Sequence, residues 1–304
     1  MAEIETEACN PASAELDRLS TLQILQVINR EDALVARAVG KELGPIAQAV
    51  DAIVERLEHG GRLFYVGAGT SGRLGLLDAV ECPPTFGTPP EMVQAVIAGG
   101  EPALHGTVPG AEDSEQAGHG DLAFLAVTAR DAVVGLSASG STPYVLGALA
   151  EAQARGALTV AVTCNRDTPL AALVDIAITP LVGPEVIAGS TRMKAATAQK
   201  MVLTMLSTAA MVRLGKTYGN LMVGLQATSD KLRRRAQRIV AKATHLPEAK
   251  AAALLNACDG EVKTAIVSHV AHVTPDEARL ALQAAGGRVR EALLPTGNPT
   301  HSRR

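Results

Sequence analysis

Two short segments combine glycine with hydroxyl side chains in a pattern suited to holding an anion. Val66-Gly-Ala-Gly-Thr-Ser-Gly-Arg73 follows a short apolar run and opens a helical pattern, and Ser137-Ala-Ser-Gly-Ser-Thr142 does the same further on. At such strand-to-helix turns, hydroxyls and free backbone N–H groups converge on one negative charge, and the helix N-terminus adds about half a positive charge. Gly69, Thr70, Ser71, Ser137, Ser139, Ser141 and Thr142 are therefore candidate ligands for a single phosphate on a small molecule. The plainer alternative is that Ser139 and Ser141 merely cap a helix. The first segment is also formally GxGxxG, with Glu101 as the acidic residue that a dinucleotide site would use beyond the second strand. Its hydroxyls, and the second hydroxyl turn, fit a phosphate better than a dinucleotide, whose loop mostly needs close backbone approach.

Several carboxylates near glycine or proline could move protons. Glu81 is succeeded by Cys82-Pro83-Pro84, and the prolines are expected to end its helix there. A glutamate at that end meets the negative pole of the helix in poorly solvating company, which disfavours its charge and suits a general acid. Glu112 and Asp113 lie in Gly110-Ala-Glu-Asp-Ser114, where helix capping by Asp113 or Ser114 is the plainer reading. Glu185 lies in Gly183-Pro-Glu-Val186, ahead of Gly189-Ser-Thr-Arg-Met-Lys194, where a first-turn charge is the plainer reading. Local sequence does not choose among these carboxylates.

The elements that must position these groups alternate along the middle of the chain. Strands are expected over 62–67, 93–98, 132–137, 158–163 and 176–181, with helical segments between most of them, as over 144–156. That alternation predicts βαβ units and a parallel sheet covered on both faces, with ligands at the carboxyl ends of the strands near a topological switch point. Residues 1–20 read as loop. Helices are expected from Ser20-Thr21, over 32–39 and over 43–57, the last stopped by Gly60-Gly61. A long apolar helix is expected over 190–214 and another over 230–243. From Leu246 the chain is Ala-rich and helical with a weak repeat: Ala252, Leu254, Leu255 and Gly260-Glu-Val262 echo Ala278, Leu280, Leu282 and Gly287-Arg-Val289. The tail after Leu294 is polar.

Composition narrows the partners. Lys+Arg is 28 against Asp+Glu 31 in 304 residues, a net charge of -3, so no nucleic acid is expected as partner. The run Lys231-Leu-Arg-Arg-Arg235 reads as the solvated face of a helix. With 2% aromatic residues and no Trp, stacking of bases or sugar rings is not expected, and a bound sugar must be held by hydrogen bonds and charge. No apolar run reaches the ~20 residues of a membrane span, and the acidic start lacks a signal-peptide pattern. Cys9, Cys82, Cys164 and Cys258 form no CxxC and read as reduced thiols of a cytoplasmic protein. His269 and His272 have no ligand cluster around them, so no metal is expected.

Several blocks together resemble the N-acetylmuramic acid 6-phosphate etherases of the sugar isomerase (SIS) fold. They are Thr6-Glu7 with Asn10-Pro11, Leu16-Asp17 with Leu19-Ser-Thr21, Tyr65-Val-Gly-Ala-Gly-Thr-Ser-Gly-Arg-Leu-Gly75 and Glu81-Cys-Pro-Pro-Thr-Phe-Gly87. Further on stand Ile97-Ala-Gly-Gly100, Gly110-Ala-Glu-Asp-Ser114, Thr142-Pro-Tyr-Val145, Val182-Gly-Pro-Glu-Val186, Gly189-Ser-Thr-Arg192, Thr197-Ala-Gln-Lys200 and Tyr218-Gly-Asn-Leu-Met-Val223. The chain departs from the family at Ser141, where Arg is expected, at Gly224 (Asp), Ser229 (Asn) and Cys9 (Arg).

The resemblance implies a three-layer SIS-like α/β sandwich over 61–225, N-terminal helices over 1–60 packed on it, and a helical region over 226–304. It implies that Glu81 and Glu112 are the catalytic carboxylates and that the substrate-binding set takes in Glu185 and Ser190. The implied reaction cleaves a lactyl ether by elimination and hydration in the cytoplasm, with no cofactor. It also implies a homodimer, since SIS folds build sites at subunit interfaces. A catalytically silent sugar-phosphate sensor that binds a partner protein is the alternative from another class.

Overall fold

The computed structural model describes residues 5–225 and 230–294. Five strands, β1 (Leu63–Gly67), β2 (Val93–Ile97), β3 (Ala132–Leu136), β4 (Leu158–Val162) and β5 (Ile176–Ile178), form a parallel sheet in the order β2-β1-β3-β4-β5. β1, β3 and β4 are buried throughout, as a sheet covered on both faces demands of near-continuous apolar strands. Phe64, Val66, Val133 and Ala161 pack with Leu122, Tyr144 and Leu149 of the helices Glu115–Phe124 and Pro143–Ala154. On the other face, the helix Gly69–Phe86 lies against Tyr65. A Cβ at Gly75 would stand 2.8 Å from that tyrosine's Cβ.

Three helices precede the sheet: Thr21–Asp32, Val35–Gly40 and Leu43–Glu58. The first begins where Gln23 Oε1 accepts from the Ser20 N–H at 2.9 Å and from its hydroxyl at 2.8 Å. It takes in Asp32, so the second helix starts at Val35 rather than Asp32. Residues before Ser20 form short 3₁₀ turns at Glu5–Glu7, Pro11–Ser13 and Leu16–Arg18.

Three expected boundaries are corrected. β5 stops at Ile178 instead of running to 181, because the Thr179 N–H donates to Glu42 Oε2 at 2.9 Å and Pro180 has no N–H to give. The helix expected from 190 is Lys194–Arg213, since residues 190–193 turn before it. The helix Gly69–Phe86 runs on through Pro83 and Pro84 instead of ending at Glu81. Each proline removes only the bond to the carbonyl four residues back, here those of Ala79, which is buried, and Val80, which is 54% exposed. Glu81 is therefore inside the helix and exposed, and the argument from the negative helix end does not apply to it.

The chain divides into two compact units, one of residues 5–81 and 89–210, the other of 82–88 and the described residues from 211 onward. The second unit contains a two-stranded antiparallel pairing of Thr217–Tyr218 with Leu221–Met222. It also holds the helices Asp230–Thr244, Glu248–Ala257, Val262–Ala271, Pro275–Ala284 and Val289–Ala292, around Ala236, Val240, Leu255, Ile266 and Leu282. The weak repeat is present as a repeated stop. Asp259-Gly260 and Gly286-Gly287 are left-handed pairs, and the second N–H of each bonds the carbonyl of Leu255 or Leu282, at 2.9 and 2.7 Å.

Candidate active site

β1 leads to β2 on one side of the sheet, while its other neighbour β3 leads to β4 and β5. The crevice between the carboxyl ends of β1 and β3 is thus the switch point where ligands enter such sheets. Both hydroxyl turns open there.

The first turn is built by glycine. A Cβ on Gly72 would lie 2.6 Å from Ile97 Cγ1 and 2.7 Å from the Gly67 carbonyl oxygen, so only glycine lets the helix begin this close to the strand ends. Gly69 and Thr70 begin the helix, and Ser71 Oγ donates to Gln199 Oε1 at 2.8 Å. Arg73 reaches the other way, donating from Nε to the Ala103 carbonyl at 3.0 Å and from Nη2 to that of Gly106 at 2.5 Å.

The second turn is a web of its own hydroxyls centred on Ser137. Ser137 Oγ lies 2.7 Å from Thr142 Oγ1 and 3.3 Å from Ser139 Oγ, and accepts from the Gly140 N–H at 3.0 Å. Ser141 donates from its N–H and hydroxyl to Ser139 Oγ at 3.3 and 3.1 Å. The capping alternative for Ser139 and Ser141 does not hold. The N-cap of Pro143–Ala154 is Thr142, and its side chain makes no capping bond. The start of that helix offers few N–H groups of its own, since Pro143 has none and that of Val145 donates to the Thr142 carbonyl at 3.1 Å.

The carboxylates separate. Ser114, not Asp113, caps the helix Glu115–Phe124, accepting from the Ala117 N–H at 3.1 Å. That leaves Glu112 exposed in the 3₁₀ turn Ala111–Asp113, where it lines a cavity of about 190 Å³ with Gly69 and Arg73 of the first turn. Glu185 is fully buried and spans the start of Lys194–Arg213, its two oxygens accepting from the N–H groups of Lys194 and Ala195 at 2.9 Å each. It completes that helix end rather than facing the crevice. Glu81 stands apart from the turns. At 1.5 Å per residue its backbone is about 18 Å along the helix from Gly69, while a strand as short as β1 spans roughly 16 Å. The helix thus carries it back along the whole height of the sheet.

Ser190 joins the second turn through an N-terminal strap. Thr6 is buried, and its carbonyl accepts from the Gly189 N–H at 3.2 Å. Its own N–H donates to Asn165 Oδ1 at 3.2 Å, and Asn165 Nδ2 donates to the Ala138 carbonyl at 2.8 Å. Arg73, Gln199 and Asn165 were not singled out as site residues in the sequence. The first two sit in blocks that carry the resemblance, whereas Asn165 has no local signal. Asp78 was also missed. It accepts from Tyr65 Oη at 2.9 Å and Ser207 Oγ at 3.1 Å, and burial still pushes its carboxyl above the ordinary value. The departure at Gly224 is explained by space, since a Cβ there would lie 2.4 Å from the Phe86 carbonyl oxygen. Ser229 lies outside the described residues. No helix among the described residues is long and apolar enough to cross a membrane, and they contain no group of three or more metal-ligating side chains.

The parallel sheet and its covering helices define an SIS-type α/β domain. The SIS domain model matches residues 112–209, and the glucokinase regulatory protein N-terminal SIS domain model matches residues 45–153. A putative phosphosugar isomerase involved in capsule formation from Bacteroides fragilis superposes with TM-score 0.50 at 22% identity, over 64% of this chain and 91% of its own. A phosphoheptose isomerase from Francisella tularensis gives TM-score 0.50 at 19% identity, over 64% and 100%. Sequence goes further than fold. The chain is 56% identical over 293 residues to the N-acetylmuramic acid 6-phosphate etherase of Rubrobacter xylanophilus, covering 96% of this chain and 97% of that one. It is 52% identical over 291 residues to that of Rhodopirellula baltica, covering 96% of each. The chain belongs to the N-acetylmuramic acid 6-phosphate etherase family.

Proposed function

We propose that this chain cleaves the lactyl ether of N-acetylmuramic acid 6-phosphate, releasing D-lactate and leaving N-acetylglucosamine 6-phosphate. The observation that carries the reading is the cavity in which Gly69 and Arg73 of the first anion turn stand with Glu112, so that a phosphate seat adjoins a free carboxylate. Family membership supports the identity of the substrate. In the open-chain sugar the C1 aldehyde acidifies the C2 proton, and C3 carries the ether. One carboxylate takes the C2 proton and another protonates the departing ether oxygen, so lactate leaves and a C2–C3 double bond forms. Water then adds its hydroxyl at C3 and a proton at C2. The phosphate held at the turns supplies binding energy remote from the reacting carbons.

Glu112 is the carboxylate beside the turns. Glu81 acts in the site of a second copy, because in its own chain it is further from the turns than a hexose phosphate reaches. Leu77, one turn back on the same helix and 49% exposed, gives it an apolar neighbour that a homodimer would cover. Four cysteines outside any disulfide, three of them buried, fit work in the reducing cytoplasm.

The direct test is D-lactate release from N-acetylmuramic acid 6-phosphate by the purified protein without added cofactor. In H₂¹⁸O the label is expected at C3 of the sugar; label in lactate would overturn the elimination route. Mixing Glu81→Gln and Ser139→Ala copies tests the shared site. One mixed site then has intact turns facing an intact Glu81, so activity should recover above that of either variant alone. No recovery on mixing would return Glu81 to its own chain.

A further inference from the structure

Thr197-Ala-Gln-Lys200 has no part in the reading above, yet its Gln199 reaches the first anion turn. Gln199 is 1% exposed on the helix Lys194–Arg213. Ser71 Oγ donates to its Oε1 at 2.8 Å, while its Nε2 is buried with no hydrogen-bond partner. Folded proteins rarely leave a buried amide half satisfied, because the unmade bond costs free energy. Two turns further along the same pair of helices the corresponding polar rung is complete, with Asp78 accepting from both Ser207 and Tyr65.

A serine hydroxyl has one proton. While Ser71 donates to Gln199, it cannot donate to an anion in the turn. We propose that Gln199 is a positioning residue that sets the direction of the Ser71 proton; this rests on reading the turn as a phosphate seat. When the anion arrives, the amide turns over about its last side-chain bond. Its Nε2–H then donates to Ser71 Oγ, and the Ser71 hydroxyl donates to a phosphate oxygen. No covalent bond changes. A neutral O–H···O bond is exchanged for a charge-assisted one, the orphaned N–H gains a partner, and the two bonds in series polarise each other. The carbonyl oxygen takes the unpaired place, which buried groups tolerate better than an unpaired N–H.

The test measures binding of N-acetylglucosamine 6-phosphate by calorimetry to the parent, Ser71→Ala, Gln199→Met and the double variant. Ser71→Ala should bind roughly 10- to 100-fold more weakly, the range for a hydrogen bond to a charged group, and Gln199→Met should bind more weakly than the parent by a smaller factor. The double variant should bind no more weakly than Ser71→Ala, because Gln199 acts only through Ser71. In turnover the loss should fall on KM rather than kcat, and the thermal midpoint of Gln199→Met should not drop, since an orphaned amide has been removed. Gln199→Glu, of the same shape but only an acceptor when ionised, should hold the Ser71 proton and weaken binding more than Ser71→Ala does. It serves alone if the Met variant fails to fold. If Ser71→Ala weakens binding while Gln199→Met does not, or if the two losses add, the role of Gln199 is overturned. If Ser71→Ala leaves binding unchanged, the phosphate seat falls and the inference with it.

Discussion

The two hydroxyl turns reach the same crevice with their hydroxyls held differently. In the turn after β3 the hydroxyls of Ser137, Ser139, Ser141 and Thr142 hold one another, with side-chain partners within five residues, while its backbone is tied from outside, the Ala138 carbonyl accepting from Asn165 Nδ2 at 2.8 Å and from the Cys164 N–H at 3.0 Å. In the turn after β1 the side chains themselves reach outside, Ser71 to Gln199 at a sequence separation of 128 and Arg73 to the Ala103 and Gly106 carbonyls. Hydroxyls bonded to one another keep their places whether or not a ligand is present. A hydroxyl tied from outside can be adjusted by the helix that ties it. This division suits a site that must hold a phosphate firmly while controlling the direction of one donor.

The largest expected effect separates holding from chemistry. Glu81→Gln leaves both turns intact, so binding of N-acetylglucosamine 6-phosphate should be nearly unchanged while lactate release falls by ~10²–10⁴ or more, the usual cost of a lost general acid or base. A variant that lost affinity in step with rate would mean that Glu81 shapes the seat rather than the reaction.

The next prediction sets one turn against the other. Ser137→Ala removes the hub of the second web, leaving the Gly140 N–H, Ser139 and Thr142 without it. The Gly140 N–H keeps its bond to the Ser137 carbonyl at 3.1 Å, so the loss falls on the Ser139 and Thr142 hydroxyls; stability should drop by about 1–3 kcal/mol and phosphate binding weaken. Ser71→Ala removes a single bond, to Gln199 Oε1, and should weaken binding while lowering the thermal midpoint less than Ser137→Ala does. If the two variants lost stability equally, the contrast between self-held and externally held hydroxyls would be wrong.

The same contrast explains what could be read from sequence. The second turn was legible because its hydroxyls find local partners, and the strands because apolar runs alternate with helical periodicity between glycines. Ser71 was legible as a hydroxyl donor, but not its bond to Gln199, since nothing local marks a partner more than a hundred residues away. Local sequence offers a first-turn charge for Glu185, and only the resemblance places it in the substrate-binding set. Only the fold shows both of its oxygens taken by the N–H groups of Lys194 and Ala195. Glu81 was judged near the phosphate because few residues separate them. A straight helix turns that short sequence distance into the height of the sheet, which sequence proximity cannot convey. Pro83 and Pro84 lie inside the helix because each removes one ladder bond from a helix of 18 residues, a loss that local sequence does not weigh against the packing of the rest.

The smallest expected effect is a difference in acid sensitivity between the two turns. The helix carrying Gln199 begins at Lys194, which is 1% exposed and whose ammonium donates to Glu31 Oε2 at 2.6 Å; Asn10 Nδ2 donates to the same oxygen at 2.7 Å. Burial alone would raise the Glu31 carboxyl, but these two hydrogen bonds and the lysine charge outweigh it and hold the group below its ordinary 4.5. A carboxylate held low in the folded state contributes stability that is present above pH 4.5 and is lost as pH falls through the folded value. Protonation leaves Lys194 buried without its counter-charge, at the start of the helix that ties the first turn. The hydroxyl web of the second turn has no group that titrates in this range. Thermal midpoints measured from pH 7 down to pH 3 should therefore fall less steeply for Glu31→Gln than for the parent, from a lower starting point at pH 7. Hydrogen exchange in the parent should show residues 194–199 losing protection in acid before residues 137–142 do. Equal slopes for the two proteins, or simultaneous loss of protection in both segments, would mean that the first turn is not held through Lys194.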